Sequence, residues 1–225
     1  MAHPRFGFLS VKAVPTLFWS AAKPLTLTPR PVSLLFLVVG LILFGLGEAM
    51  LVAATVGVSP WVVLAEGITI VSGWSIGMAT FVVSAAVLLC WLPLKRMPGI
   101  GTVLNAVIIA VVLEISVPYL PVFDHLVLQV GQAALGVLVT GLGSALYLIA
   151  NLGAGPRDGL MTGLQAITGL PIAWVRSGLE ISVVLAGWLL GGTVGLGTIL
   201  FAFGIGPAVA ASMHALQKMF PPGQT

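Results

Sequence analysis

Apolar residues along this chain run on rather than alternate. Residues 67–94, 126–156 and 181–213 each contain no Asp, Glu, Lys or Arg, the last with a Gly-rich middle. A helix that crosses a bilayer needs about 20 mostly apolar residues, and continuous runs of this kind exclude porin-type strands, which alternate with period two. Once single ionisable residues are tolerated, the pattern predicts six spans, at 32–56, 74–93, 101–121, 127–151, 172–191 and 197–218. Between the first and second, and again between the fourth and fifth, lies an apolar segment too short to cross.

Lys and Arg resist translocation and collect on the cytoplasmic side. Arg5, Lys12, Lys23 and Arg30 precede the first span, Lys95 and Arg96 follow the second, Arg157 follows the fourth, Arg176 opens the fifth and Lys218 ends the sixth. Six spans put all of them on one side and leave Glu66, Asp124 and His125 to the other. A five-span arrangement would strand basic residues outside. Both termini are therefore expected in the cytoplasm.

Composition sharpens the picture. Charged residues are 7% of the 225, hydrophobic residues 59%, and mean hydropathy is +1.16. A soluble surface needs about 25% charge, so the chain belongs in a lipid bilayer. The net charge of +3 contains no basic run, which excludes a nucleic-acid partner. Cys90 alone makes neither a disulfide nor a multi-cysteine metal site. The acid-free first thirty residues, with Ser10, Phe18, Trp19 and Ser20, read either as a cytoplasmic tail lying partly on anionic lipid or as an organellar transit segment.

The chain also repeats itself. An offset of 96 places residues 45–69 over 141–165 without a gap, and nine of the 25 pairs are identical, among them Gly45/Gly141, Gly47/Gly143, Gly57/Gly153 and Pro60/Pro156. PGIGTVL at 98–104 falls over VGLGTIL at 194–200. Three spans per copy is an odd number, so the second copy would enter the membrane upside down. The expected fold is all-α and polytopic: six transmembrane helices as a 3+3 inverted repeat, with a short half-helix or interfacial helix after the first helix of each repeat. Residues 1–31 form the cytoplasmic tail, 32–125 the first repeat and 126–225 the second. Trp61 under Arg157, and Lys95 and Arg96 under Gly191 and Gly192, show charge following the side that each copy requires.

GAGPRDGLM at 153–161, Arg176, Glu180 and GGTVGLGT at 191–198, with Gly45, Gly47, Ser59-Pro60-Trp61 and Gly101-Thr102 in the first half, resemble the YczE-like family of bacterial integral membrane proteins, related to the YitT-type group. The resemblance runs from about residue 30 onward and implies a multi-pass protein of a bacterial plasma membrane. It brings no substrate and no activity with it.

Candidate chemistry follows the repeat. Ser59-Pro60 and Gly155-Pro156 each place a capping residue before Pro at a first helical position, after a break at Gly57 and Gly153. Dipping in from opposite faces, the two helix starts would converge their positive ends at mid-membrane and favour an anionic group. Lying flat, they would be surface helices. Arg176 and Glu180, four apart, should pair, and with Arg157 and Asp158 they form either a substrate site or a structural clamp. Glu48 and Glu114 lie inside spans away from every basic residue. Each is either held by a hydroxyl or by water, or available for proton coupling. His214, Asn105, Gln129, Gln132 and Asn151 have structural readings as readily as functional ones. GVSPW at 57–61 lacks the second glycine of a nucleophile elbow, and no metal-ligand or phosphate-loop spacing occurs.

The sequence thus points to a small secondary transporter or exporter of an anionic or zwitterionic solute, with no enzyme activity, no cofactor and no metal. A channel, or a scaffold assisting a partner protein, is the alternative, and a homo-oligomer is open.

Overall fold

The computed structural model describes residues 14–221, so Arg5, Ser10 and Lys12 of the tail lie outside the described residues. The helices are α1 (Pro31–Ala54), α2 (Pro60–Ser72), α3 (Ile76–Leu89), α4 (Ile100–Ser116), α5 (Leu126–Ala150), α6 (Pro156–Thr168), α7 (Ile172–Leu189) and α8 (Leu196–Met219), with a 3-10 turn at Val117–Tyr119. No strand occurs among the described residues. The protein is all-α.

Five helices are long and apolar enough to cross a membrane: α1, α4 with its 3-10 turn, α5, α7 and α8. The sixth expected span, 74–93, is shorter as a helix. α3 has 14 residues, which at about 1.5 Å each reach about 21 Å, short of a hydrocarbon core of about 30 Å. Together with α2, from which it bends by 116°, it meets the criterion as one broken unit. The chain is a multi-pass membrane protein with five or six spans.

The 96-residue offset reappears in the element boundaries. α2 and α6 start and end 96 apart, and so do the starts of α3 and α7 and of α4 and α8. Thr55 and Asn151 both end their helices in the left-handed region, at φ 58 and 53, and Gly57 and Gly153 follow at φ 107 and 120.

Contacts recur with their partners exchanged. Gly101 N–H donates to Leu152 C=O at 2.7 Å, and Gly197 N–H donates to Val56 C=O at 2.8 Å. Gly163 lies against Leu94, and Gly67 against Leu190. Where Gly187 packs on the backbone of Val63, Trp91 packs on Gly159, so large and small have changed places.

The bundle is seamed where α1 meets α5. Gly40 touches Gly143 and Tyr147, and Gly47 touches Gly136 and Thr140, so the two helices run antiparallel. Small residues let the backbones approach closely, which is how helices associate in lipid, where burial gives no hydrophobic gain. α4 is antiparallel to α5 as well: Gly101 meets Leu152 at one end, and Gln132 donates to Pro121 C=O at the other. Hence α1 and α4 start at the same end, and α2 with α3 must carry the chain back across. Lys23, Arg30, Lys95, Arg96, Arg176 and Lys218 all fall toward the end where α1 begins.

The described part of the tail lies on protein. Trp19 is fully buried and stacks on Phe36 at 4.2 Å, with Phe220 edge-on at 5.3 Å. Ala21 N–H donates to Ala150 C=O, Ser20 Oγ to Ile149 C=O, and Asn151 Nδ2 to Ala21 C=O. Residues 14–21 therefore close over the ends of α5 and α8, where the sequence suggested contact with lipid.

A Cβ at Gly47 would stand 2.2 Å from Thr140 Oγ1 and 2.6 Å from Gly136 O, whereas one at Gly131 meets nothing. Gly47→Val is expected to lower stability in detergent by about 1–3 kcal/mol through overpacking. Gly131→Ala should leave the thermal midpoint unchanged or raise it, and thermal unfolding of both variants reads the difference.

Candidate functional site

The chain leaves α1 at Ala54, bends back through Gly57 and starts α2 at Ser59-Pro60, facing a carboxylate. Ser59 is fully buried, Glu48 is 2% exposed, and Ser59 Oγ donates to Glu48 Oε2 at 2.6 Å. The hydroxyl that was expected to cap α2 is thus spent on Glu48 and makes no cap bond. The hydroxyl expected beside Glu48 is that of Ser59.

In the second copy the same bend ends at Gly155-Pro156. A Cβ at Gly155 would lie 3.1–3.4 Å from Asp158, Asn105 and Tyr147. Tyr147 OH donates to Asp158 Oδ2. Trp91 Nε1 donates to Pro156 C=O at 2.9 Å, and its ring covers Gly159, so the first turn of α6 is pinned from α3's end.

Both helix starts reach one central cavity. It measures about 60 Å³, and its walls include Glu48, Ser59, Thr80, Asn105, Pro156 and Arg157. A larger cavity of about 390 Å³ lies on the other side of Arg157, bounded by Tyr147, Asp158, Arg176, Glu180, Phe201 and Met213. Val14 of the tail lines it too.

The two cavities are copies of one another. Adding 96 to the wall of the first turns Glu48 into Ser144, Trp61 into Arg157, Thr80 into Arg176, Ser84 into Glu180 and Ile109 into Ile205, and every one of those lines the second. The first wall holds Glu48 among hydroxyls and the Asn105 amide; the second holds two arginines and two acids. Arg157 alone among the ionisable residues lines both.

Arg157 is half-buried, with the Phe44 ring 4.9 Å from its guanidinium carbon. It makes no ion pair within 4.0 Å and no hydrogen bond among the described residues. Its five donors are unspent. Arg176 Nε does pair with Glu180 Oε1, at 2.9 Å, as the spacing predicts, but the two side chains are 46% and 21% exposed. The pair is not fully buried, and the penalty of several kcal/mol that a buried pair would impose on losing one partner does not apply.

Other candidates fall elsewhere. Glu114 lines neither cavity; its Oε2 accepts from Gly77 N–H at 2.7 Å, at the start of α3, where a helix dipole favours a carboxylate. Pro60 faces a further groove beside α7 and α8. Glu66 accepts from Thr193 N–H, Gln129 Nε2 donates to Phe123 C=O and Gln132 Nε2 to Pro121 C=O, each tying a loop to a helix. No group of three or more His, Cys, Asp or Glu residues able to hold a metal occurs among the described residues.

Phe44, Tyr147 and Trp91 were missed in the sequence. Applying the offset to Pro156 and Arg157 could not have found them, since their counterparts are Thr140, Leu51 and Gly187.

The family of unknown function DUF6198 matches residues 32–214. An uncharacterized protein of Haemophilus influenzae is 41% identical over 209 residues, 93% of this chain and 95% of that one. The uncharacterized membrane protein YczE of Bacillus subtilis is 33% identical over 169 residues, 74% of this chain and 79% of its own length. No solved structure matches.

Ser59→Ala would leave the buried Glu48 carboxyl without its hydroxyl, at an expected cost of about 1.5–3 kcal/mol. Glu180→Gln, in a half-exposed pair, should cost no more than about 1 kcal/mol. Chemical unfolding of the purified protein measures both, and equal losses would contradict the difference in burial.

Proposed function

From membership of the YczE-like family DUF6198, to which this chain belongs, we propose that the protein is a small secondary transporter of an anionic or zwitterionic solute, built as a 3+3 inverted repeat in a bacterial plasma membrane. The observation that carries this reading is that the starts of α2 and α6 open on one cavity holding Glu48 and Arg157. Broken helices whose ends meet at depth are the usual means by which inverted-repeat carriers bind charged solutes.

Three further features support it. Antiparallel packing of α1 on its own repeat-mate α5, with exchanged contacts on both flanks, is what a two-fold axis in the membrane plane would produce. The collection of the described Lys and Arg residues other than Arg157 toward one end fits cytoplasmic termini. Walls in which cations and carboxylates alternate fit a solute recognised by charge, and Arg157 offers a free planar fork to an oxyanion. In this mechanism the solute enters the larger cavity, its anionic group engages Arg157, and rocking of one repeat against the other exposes the cavity to the opposite side.

Purified protein in liposomes tests the reading. Saturable uptake of an organic anion that responds to a pH gradient is the expected result. Electrical conductance would make it a channel, and silence across a broad panel of solutes would leave a scaffold. Arg157→Ala should lower uptake by at least about 30-fold while the protein still folds, since a lost charge-assisted anchor is worth roughly 2–5 kcal/mol. Cysteines placed at Lys95 and Asp124 should be labelled from opposite faces of the vesicle.

A further inference from the structure

The duplicated cavities leave one cation between two places for an anion. On the central side Arg157 and Glu48 line the same small cavity. On the other side Arg157 faces the larger cavity, where the acids are already engaged: Asp158 accepts from Tyr147, and Glu180 is paired with Arg176. Around Glu48, α2 offers the Ser59 hydroxyl, α3 the Thr80 and Ser84 hydroxyls, α4 the Asn105 amide, and α6 the guanidinium. Arg157 is the only charged side chain other than Glu48 itself in that wall.

Resting on the transport reading, we propose that Arg157 links solute to proton. A monoanionic carboxylate with an apolar body enters the larger cavity and takes the guanidinium, and Glu48, deprived of its counter-charge, takes up one proton from water.

One guanidinium cannot neutralise two carboxylates in a water-poor interior. An unpaired carboxylate there is cheaper protonated than charged. The size of the larger cavity, about 390 Å³, and its Met161, Phe201, Ile205 and Met213 walls suit an apolar body. Arg157 and Arg176 are matched in the same wall by Asp158 and Glu180, so beyond the one charge that Arg157 can take from Glu48 a second negative charge finds no spare cation there, which favours a carboxylate over a phosphate dianion. Since one negative charge and one proton are taken up together, the loaded protein carries no added charge, and transport of such a solute is electroneutral.

The experiment is calorimetric titration of the full chain in detergent with benzoate, with inorganic phosphate as the contrast, at neutral pH in two buffers of different ionisation enthalpy. Wild type is expected to bind benzoate with uptake of about one proton and to bind phosphate at least tenfold more weakly. Glu48→Gln should bind benzoate with no proton uptake. Arg157→Gln should lose at least about 30-fold in affinity, the worth of a charge-assisted anchor. If that variant does not fold, Arg157→Lys serves in its place and should weaken binding at least about tenfold, having lost the fork but kept the charge. Absence of benzoate binding, binding without proton uptake, preference for phosphate, or proton uptake that persists in Glu48→Gln would each overturn the linkage. Linked binding without uptake into liposomes would sink the transport reading and leave the linkage standing. Uptake with unlinked protons would do the reverse.

Discussion

The rest of the structure depends on how two breaks in the helical backbone are satisfied. Inside a bilayer, an N–H or C=O that leaves its helix must find a partner within the protein. Both breaks, at 55–59 and 151–155, find theirs in the other half of the chain: Val56 C=O accepts from Gly197 N–H, Leu152 C=O from Gly101 N–H, and Thr102 Oγ1 donates to Ala154 C=O. These crosswise bonds need a backbone-to-backbone approach that a side chain would block. A Cβ at Gly197 would stand 2.0 Å from Gly57 O, and one at Gly101 would stand 2.8 Å from Leu152 O. The glycines that sequence comparison paired across the repeat are therefore the positions where each half completes the other. Once the breaks are held there, the starts of α2 and α6 have to open toward the centre, and the cavity follows.

Much of this was legible in the sequence. Hydropathy located five spans to within a few residues, because in lipid the side chains facing outward must be apolar whatever the tertiary packing. The sequence located the starts of α2 and α6, since Pro at a first helical position acts locally; their ends, at left-handed Gly73 and Gly169, came from the structure. α3 was read as longer than it is: Trp91, Leu92 and Leu94 extend the apolar run, but the helix stops at Leu89 and they serve a turn that packs on α6.

Pairings across the chain were less visible. Nothing in the spacing says that Ser59 turns away from its own helix toward Glu48, that Glu114 sits over the start of α3, or that Tyr147 meets Asp158. Each depends on the angle at which a helix re-enters after its break, which single-chain periodicity does not record. The two-cavity relation was nevertheless latent in the repeat: the positions that became charged in the second copy, 157, 158, 176 and 180, surround one hollow, and their counterparts surround the other.

The exchange of large for small between Val63–Gly187 and Gly159–Trp91 also matters beyond packing. Here the indole of Trp91 fastens the onset of α6 through a hydrogen bond to Pro156, and the corresponding place beside α2 holds only a glycine. The two short helices are thus held by different means: an indole hydrogen bond fixes the start of α6, whereas Ser59 on Glu48 and the bond from Val58 N–H to Thr193 C=O fix the start of α2, so the two halves of the chain are not interchangeable.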